Sequence, residues 1–195
     1  MEAATVSFDF IAAFRRARSA AQVLTQLERA GSAFDFDHVC MSGVSSTVPP
    51  WAPPGFVHRW PAGWYRRYLD RGYLRRDPIA RAVLTTTRPF AWDEIEVPPE
   101  DVAAAEFMAD AASFGLAAGF CVPIYQVGRV TAVSFGGKRR AGLTEDDRGA
   151  LQLIALFALP GHANCSVATP TLKCRRRNCA SPVARRKSCN GLPRE

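Results

Sequence analysis

Two apolar segments joined by a short turn restrict this chain to folds that contain an antiparallel sheet. Residues 119–126 and 129–135 are rich in apolar and β-branched side chains, and Val127 and Gly128 between them are typical of a tight turn. Residues 37–44 and 56–60 are shorter runs that also suit strands. The pattern therefore predicts a hairpin within a sheet of several strands.

Helical patterns flank these strands on both sides. Ser19, Asp77 and Thr144 each precede such a segment and are typical N-cap residues, and Pro78 suits the first helical position. We predict helices over residues 7–18, 19–30, 62–73, 77–86, 99–114 and 145–159, and a loop over the proline-rich residues 45–54. Helices that flank a hairpin-containing sheet predict an α+β fold, and no internal repeat is found.

The positive charge of the chain is confined to its last part. The 195 residues carry a net charge of +7, yet residues 1–163 contain 17 basic and 17 acidic residues. Residues 164–195 contain eight basic residues, the acid Glu195 and four cysteines, without apolar periodicity. We therefore predict a folded domain over 1–163 and a basic, Cys-rich, disordered tail over 164–195.

Catalytic and metal-binding arrangements are not evident. The histidines (His38, His58 and His162) have no partner at metal-ligand or nucleophile–base spacing. Cys40 and Cys121 lie in apolar runs, where a thiol usually behaves as a small buried hydrophobe. The tail cysteines lack paired zinc-site spacing. We expect no enzyme, no metal site and no bound cofactor. Because no signal peptide or membrane span is visible, we expect a cytoplasmic protein with reduced thiols.

An ordered set of aromatic and acidic residues carries the functional prediction. Trp64 and Tyr68 are four residues apart, and Asp77-Pro78 and then Trp92 follow them. Singly, each has a structural explanation as a core aromatic or an N-cap. Together, W-x3-Y-x8-D-P-x13-W resembles the ligand-binding domain of LuxR-type quorum-sensing receptors, and residues 114–124 with Gly119 resemble the same family's lead into its central strands. The resemblance spans roughly residues 8–159.

The resemblance implies an α/β/α sandwich, with a central antiparallel sheet, that binds an N-acyl-homoserine lactone. It implies that the Trp64 indole donates to the lactone carbonyl, the Tyr68 hydroxyl donates to the acyl carbonyl, and Asp77 accepts the amide N–H. The remaining implied contacts are packing of Trp92 on the lactone ring, contact of Ser134 with the acyl group, and Trp60 at the acyl end of the pocket. Apolar walls with a few placed polar groups are the usual design of a small-molecule site.

The identity of the ligand stays open from the sequence. A different amide or ester would also suit these polar groups. Trp60 and Phe120 are expected to shorten or flatten the pocket, which would favour a short, branched or aryl acyl chain.

The tail differs from what the resemblance implies. LuxR-type receptors continue into a helix-turn-helix domain, and residues 164–195 lack its apolar periodicity, so specific DNA binding is not expected. Such a change of composition is what a shifted reading frame in a GC-rich gene would produce. The sequence therefore predicts a truncated receptor that forms a homodimer, or a heterodimer with a full-length receptor that it inhibits. The alternatives are an inactive receptor remnant and non-specific nucleic-acid binding through the tail's basic residues.

Overall fold

The fold is described by a computed structural model that covers residues 3–44, 57–126 and 129–163. It has the predicted α+β class, an α/β/α sandwich with a central antiparallel sheet. The proline-rich loop at 45–54, the turn at Val127 and Gly128, and the predicted tail 164–195 lie outside the described residues.

Five of the six described helices begin within three residues of their predicted starts, and the first begins at Ala3, four residues before its predicted start. The helices are α1 (Ala3–Arg16), α2 (Ala20–Ala33), α3 (Trp64–Asp70), α4 (Pro78–Val83), α5 (Val102–Ser113) and α6 (Glu145–Ala163), with 3₁₀ turns at Tyr73–Arg75 and Trp92–Glu94. Within the described ranges, no helix has the length and apolar character needed to cross a bilayer.

Side-chain caps explain why the helix starts are predictable. The Ser19 hydroxyl accepts a hydrogen bond from the backbone N–H of Gln22 at 3.2 Å. Thr144 and Asp147 cap α6 reciprocally, since the Thr144 hydroxyl accepts from the Asp147 N–H while the Asp147 carboxylate accepts from the Thr144 N–H. Asp77 caps α4 in the same way as Ser19 caps α2. Each cap satisfies backbone donors that have no partner inside the helix.

Other element boundaries differ from the prediction. The predicted helix over 62–73 ends at Asp70, because Gly72 adopts a left-handed conformation (φ 61°) that interrupts it before the Tyr73–Arg75 turn. The last helix runs to Ala163 rather than 159, so Pro160 and Gly161, which disfavour helix without forbidding it, do not end it. The strand predicted over 56–60 has only two paired residues.

The described strands form one antiparallel sheet in the order β2-β1-β5-β4-β3. The strands are β1 (His38–Val44), β2 (Val57–His58), β3 (Phe90–Ala91), β4 (Ala118–Gln126) and β5 (Arg129–Gly137). β4 and β5 form the predicted hairpin, with Ala118 opposite Gly137 and Gln126 opposite Arg129. β1 pairs with β5 along its whole length, from His38 opposite Gly136 to Val44 opposite Val130. This pairing places β1, the first strand in the chain, inside the sheet between β2 and β5.

The sheet separates two hydrophobic cores. Helices α1, α2 and α6 cover one face, where their buried side chains, such as Leu27 and Leu151, pack with Phe135. Helices α3, α4 and α5 cover the other face through Trp64, Ile79 and Phe107. Because a sheet with two buried faces needs a layer on each, the sandwich follows from the strand and helix pattern.

Candidate ligand-binding site

The two faces of the sheet carry side chains of different size. Toward α1, α2 and α6 the strands present large residues: Val39, Met41, Phe120, Val122, Ile124, Val133 and Phe135. Most residues that alternate with them point toward α3, α4 and α5 and are small: Cys40, Ser42, Gly119, Cys121, Ala132, Ser134 and Gly136. Larger side chains on this face, such as Tyr125 and Val130, lie toward the hairpin end. The second layer therefore packs on a floor of small residues. This is the arrangement that makes room for a ligand between a sheet and its helices.

Trp92 lies on the glycine end of this floor. A Cβ atom at Gly119 would lie 2.3 Å from Trp92 Cε2 and 2.5 Å from the carbonyl oxygen of Phe135, and one at Gly136 would lie 3.0 Å from Trp60 Cζ3. The Trp60 and Trp92 rings meet edge-on, with centroids 6.3 Å apart. Glycine is therefore required at position 119 so that the indole of Trp92 can lie on the strand.

The Trp92 indole has a further property. Its Nε1 is buried and, within the described part of the chain, is the one buried side-chain nitrogen or oxygen without a hydrogen-bond partner. Such an unmet donor costs about 1–3 kcal/mol. Unmet donors of this kind are rare in folded proteins and are often found at functional sites.

Asp77 is the buried acid of the site. Its Oδ1 accepts hydrogen bonds from the backbone N–H groups of Ile79 (2.8 Å) and Ala80 (3.0 Å), and its Oδ2 accepts one from the Tyr68 hydroxyl at 3.0 Å. Burial raises the pKa of Asp77 above its usual value, although these three donors oppose the shift. Burial also raises the pKa of Tyr68 well above its usual value, and the neighbouring Asp77 charge adds to the effect. Asp77 thus combines the predicted N-cap with a polar contact to Tyr68.

Trp64 sits in the centre of an aromatic cluster. It lies on the same face of α3 as Tyr68, with ring centroids 6.1 Å apart, as their spacing predicted. Tyr73 stacks on it at 5.9 Å, and Phe107 and Phe114 pack at 5.8 and 5.4 Å. Only 3% of Trp64 is exposed. These rings form the helical wall opposite the small-residue floor.

Ser134 lies in the middle of the floor and is buried. It is opposite Cys40 on β1 and Cys121 on β4, so the three form one row across the sheet. Ser134 is thus the cross-strand neighbour of both thiols on the face that borders the site. Burial raises the pKa of both thiols, and the charge of Asp77 adds to the effect.

All six residues singled out by the sequence therefore lie between the sheet and the α3–α5 layer. They are Trp60, Trp64, Tyr68, Asp77, Trp92 and Ser134. Phe120 does not join them. It is fully buried on the opposite face, where the Arg148 guanidinium lies 5.6 Å from its ring centroid, so it cannot shape this site. Strand alternation explains the error, because adjacent residues such as Gly119 and Phe120 point to opposite faces.

The sequence interpretation missed the role of the two thiols. Cys40 and Cys121 are buried, as expected for small apolar residues, but they belong to the floor of the site. Their places two residues from Ser42 and Gly119, respectively, were a usable signal, since residues two apart on a strand share a face. No group of three His, Cys, Asp or Glu side chains that could hold a metal ion occurs in the described ranges.

A separate cavity of about 240 Å³ lies at the β3–β4 edge of the sheet. Its basic residues are already paired, Arg140 with Asp93 at 2.8 Å and Arg148 with Glu94. Its charged lining residues are therefore all paired, and Gly119 is the one floor residue that also lines it.

Comparison with known proteins agrees with this geometry. Residues 19–160 match the protein family described as "Autoinducer binding domain". The chain belongs to this family. It is 33% identical over 153 residues to the transcriptional activator BjaR1 of Bradyrhizobium diazoefficiens, an alignment that covers 77% of this chain and 63% of BjaR1. It is 28% identical to the quorum-sensing-dependent regulator RpaR of Rhodopseudomonas palustris, over 78% of this chain and 62% of RpaR.

Solved structures of LuxR-type proteins share the fold. The LuxR-family factor CepR2 of Burkholderia cenocepacia, described as N-acylhomoserine-lactone dependent, superposes with a TM-score of 0.64 at 24% identity, over 82% of this chain and 92% of CepR2. Escherichia coli SdiA superposes with a TM-score of 0.66 at 18% identity, over 80% of this chain and 65% of SdiA. The chain spans less than two thirds of the length of the curated relatives BjaR1 and RpaR. The family consists of transcriptional regulators and signal receptors, and its domain binds a small-molecule autoinducer.

Proposed function

We propose that this chain binds an N-acyl-homoserine lactone between the small-residue floor of the sheet and helices α3–α5. The observation that carries the proposal is the buried Asp77 carboxylate, whose Oδ2 accepts a hydrogen bond from Tyr68 in the aromatic wall that packs over that floor. A buried carboxylate that keeps its charge needs donors, and the amide N–H of such a ligand is one. The unmet Nε1 of Trp92 in the same layer also suits a ligand site.

Within this proposal each residue has one contact. The Trp64 indole donates to the lactone carbonyl, Asp77 accepts the amide N–H, and Tyr68 donates to the acyl carbonyl. Trp92 packs on the lactone ring, Ser134 touches the acyl group, and Trp60 lines the acyl end.

Ligand binding in this form requires an exchange of hydrogen bonds. The Tyr68 hydroxyl has a single hydrogen, and without ligand it is directed at Asp77 Oδ2. To reach the acyl carbonyl it must leave Asp77, whose oxygen then accepts the ligand amide. Two structural neighbours support a ligand with an acyl carbonyl: CepR2 is described as N-acylhomoserine-lactone dependent, and SdiA has been solved with octanoyl-rac-glycerol.

The test is expression with and without a panel of N-acyl-homoserine lactones, followed by mass spectrometry of the copurified ligand. We expect one lactone per chain and a melting temperature that rises with lactone concentration, since a ligand that binds only the folded state stabilises it. Asp77→Asn should lose the ligand, and Trp64→Phe should bind it about tenfold more weakly. Asp110→Asn is the matched control, because Asp110 also accepts a tyrosine hydroxyl, that of Tyr73 at 2.7 Å, but lies away from the floor. Equal melting temperatures with and without every lactone would refute the proposal.

We further propose that the chain acts in the cytoplasm as a dimer partner that inhibits a full-length LuxR-type receptor. Several apolar side chains are exposed on α1 and α6, which pack against each other: Phe8, Leu153, Leu156 and Phe157. Such residues suit a protein–protein contact. A mixed dimer would contain one DNA-reading domain and lose half of the site contacts.

Co-expression with a full-length receptor and its reporter tests the inhibitor. We expect reporter output to fall with the wild-type chain and to recover with Leu156→Glu, whereas Asp146→Asn, near the start of the same helix, should inhibit like the wild type. An unchanged reporter at matched chain levels would refute the inhibitory role. That result would not affect the proposal that the chain binds a lactone, which the copurification experiment tests separately.

A further inference from the structure

The turn that carries Trp92 has little backbone support of its own. Strand β3 (Phe90–Ala91) pairs with β4 through two residues at the edge of the sheet, and the Trp92–Glu94 turn follows it directly. A two-residue strand and one 3₁₀ turn supply few backbone hydrogen bonds. The position of the Trp92 indole therefore depends largely on side-chain contacts.

Glu94, two residues after Trp92, supplies such contacts through both of its carboxylate oxygens. Its Oε2 accepts a hydrogen bond from the backbone N–H of Ala91 at 3.0 Å, and its Oε1 forms an ion pair with the Arg148 guanidinium. Ala91 and Glu94 lie on either side of Trp92 in the chain. The Glu94 carboxylate therefore fixes the backbone on both sides of the residue that bears the indole.

Arg148 belongs to the helical layer on the other face of the sheet. It lies near the start of α6, and its guanidinium is 5.6 Å from the ring centroid of Phe120, which is buried in the core of that layer. Glu94 follows the edge strand β3. The ion pair therefore joins the Trp92 turn to a helix of the opposite layer.

The Glu94–Arg148 pair is better shielded from solvent than the neighbouring ion pair of the same turn. Asp93 pairs with Arg140 at 2.8 Å, but 69% of the Arg140 side chain is exposed, against 23% of the Arg148 side chain. Solvent weakens an exposed pair more than a shielded one. The hydrogen bond from Arg148 lowers the pKa of Glu94, so this carboxylate is charged at neutral pH.

The position of the turn determines how the Trp92 indole lies on the floor. A Cβ atom at Gly119 would lie 2.3 Å from Trp92 Cε2, and the Trp92 ring meets the Trp60 ring edge-on at 6.3 Å. Because the indole lies directly on the strand in a closely packed layer, a displacement of its backbone changes the surface that it presents to a ligand.

We propose that Glu94 and Arg148 are positioning residues of the ligand site, and that their ion pair holds the Trp92 indole where it packs on the lactone ring. The inference rests on the proposed binding of an N-acyl-homoserine lactone. Neither Glu94 nor Arg148 contacts the ligand itself. Both act through the turn that carries Trp92.

Calorimetric titration of Glu94→Ala tests this role, with the lactone that most stabilises the wild type. We expect binding to weaken about threefold to tenfold, the effect of losing an ion pair and a backbone hydrogen bond. Glu145→Ala is the matched control, because Glu145 also pairs with Arg148, at 3.8 Å, but is 96% exposed and lies on α6 itself. Its affinity should stay within about twofold of the wild type. Glu94→Gln, which keeps an oxygen for the Ala91 N–H, should restore part of the affinity.

The indole N–H resonance of Trp92 provides a readout that a merely stabilising ion pair would not change. The resonance is assigned in ¹⁵N-labelled protein by its loss in Trp92→Phe. Glu94→Ala and Arg148→Met should each shift it, with and without lactone, whereas Glu145→Ala should leave it in place. Arg148→Met combined with Glu94→Ala should weaken binding no more than Glu94→Ala alone, because both substitutions remove the same ion pair. If Glu94→Ala does not fold, Glu94→Gln replaces it in both measurements, since its loss of charge weakens the ion pair.

The outcomes distinguish the two proposals. An affinity or a Trp92 resonance that is unchanged in Glu94→Ala would refute the positioning role while lactone binding stands. A wild-type chain that binds no lactone would refute the proposed function and this inference with it.

Discussion

Removing the Tyr68 hydroxyl tests the exchange of hydrogen bonds on which the proposed site depends. In Tyr68→Phe, Asp77 Oδ2 loses its donor, while Oδ1 keeps the two backbone N–H groups that cap α4. The chain contains a matched control. Tyr73 donates to Asp110 at 2.7 Å, but Asp110 is partly exposed and has Arg67 at 3.7 Å. Tyr73→Phe therefore removes the same chemical group where water and a cation can replace it.

The expected magnitudes follow from burial. A hydrogen bond to a charged group contributes about 1.5–3 kcal/mol, and Asp77 is buried, so Tyr68→Phe should lower the unfolding free energy of the ligand-free protein by that amount. Tyr73→Phe should cost about 0.5–1.5 kcal/mol. With ligand, the amide N–H supplies the missing donor to Asp77. The wild type must break the Tyr68–Asp77 hydrogen bond before it binds the lactone, whereas Tyr68→Phe lacks this bond from the start. The saved free energy offsets the contact with the acyl carbonyl that Tyr68→Phe loses.

The assay combines urea unfolding, monitored by circular dichroism, with calorimetric titration of the lactone. We expect Tyr68→Phe to be clearly destabilised without ligand and yet to bind the lactone at least as tightly as the wild type. The reasoning is refuted if Tyr68→Phe leaves ligand-free stability unchanged and weakens binding tenfold, because Tyr68 would then serve the ligand alone.

Three further predictions concern the floor, the buried Asp77 and the aromatic wall. Gly119→Ala should destabilise the fold by about 1–3 kcal/mol in thermal or urea unfolding, because its Cβ would overlap Trp92 and a backbone oxygen. Gly149→Ala in α6, which has open space around it, should instead stabilise the fold by about 0.5–1 kcal/mol. Equal effects of the two variants would contradict the packing argument. Because the pKa of Asp77 is raised in the folded state, the contribution of this group to stability should increase as the pH falls from neutral toward that raised pKa, and Asp77→Asn should abolish this component of the pH profile. Lactone affinity should change in the opposite direction over the same range, since protonation removes the charge that accepts the amide, and a pH-independent affinity would exclude Asp77 as that acceptor. Trp64→Phe should keep the aromatic cluster folded but weaken lactone binding about tenfold, which is the effect of one lost hydrogen bond. Unchanged affinity in calorimetry would show that the Trp64 indole does not bind the lactone.

Local signals explain why so much of the fold is predictable. Ser19, Asp77 and Thr144 mark helix starts through bonds to residues two or three positions away, so the information lies within a few residues. The β4–β5 hairpin is equally local. The pairing of β1 with β5 depends on residues distant in sequence, and no short pattern specifies it. The two-residue strand β3 is too short to produce a pattern at all.

The candidate site also combines features that nearby residues determine with features that depend on residues distant in sequence. Trp64, Tyr68 and Asp77 are recognisable because they fall on one short segment with fixed spacing, and the structure brings Tyr68 and Asp77 into contact. The thiols under Ser134 depend on the register of three strands, which the sequence does not reveal. Phe120 lies in the opposite core rather than in the expected pocket, because successive residues of a strand, such as Gly119 and Phe120, point to opposite faces of the sheet.

The unequal faces of the sheet have a consequence for how such a receptor can change its signal. Along β1 and β5, every second residue packs in the core with α1, α2 and α6, and the residues between them border the site. Under the proposed function, substitutions at positions such as Cys40, Ala132 and Ser134 should change which ligand is bound, while the positions next to them preserve the core. A library that randomises only these alternate positions would sample new signals from variants that still fold.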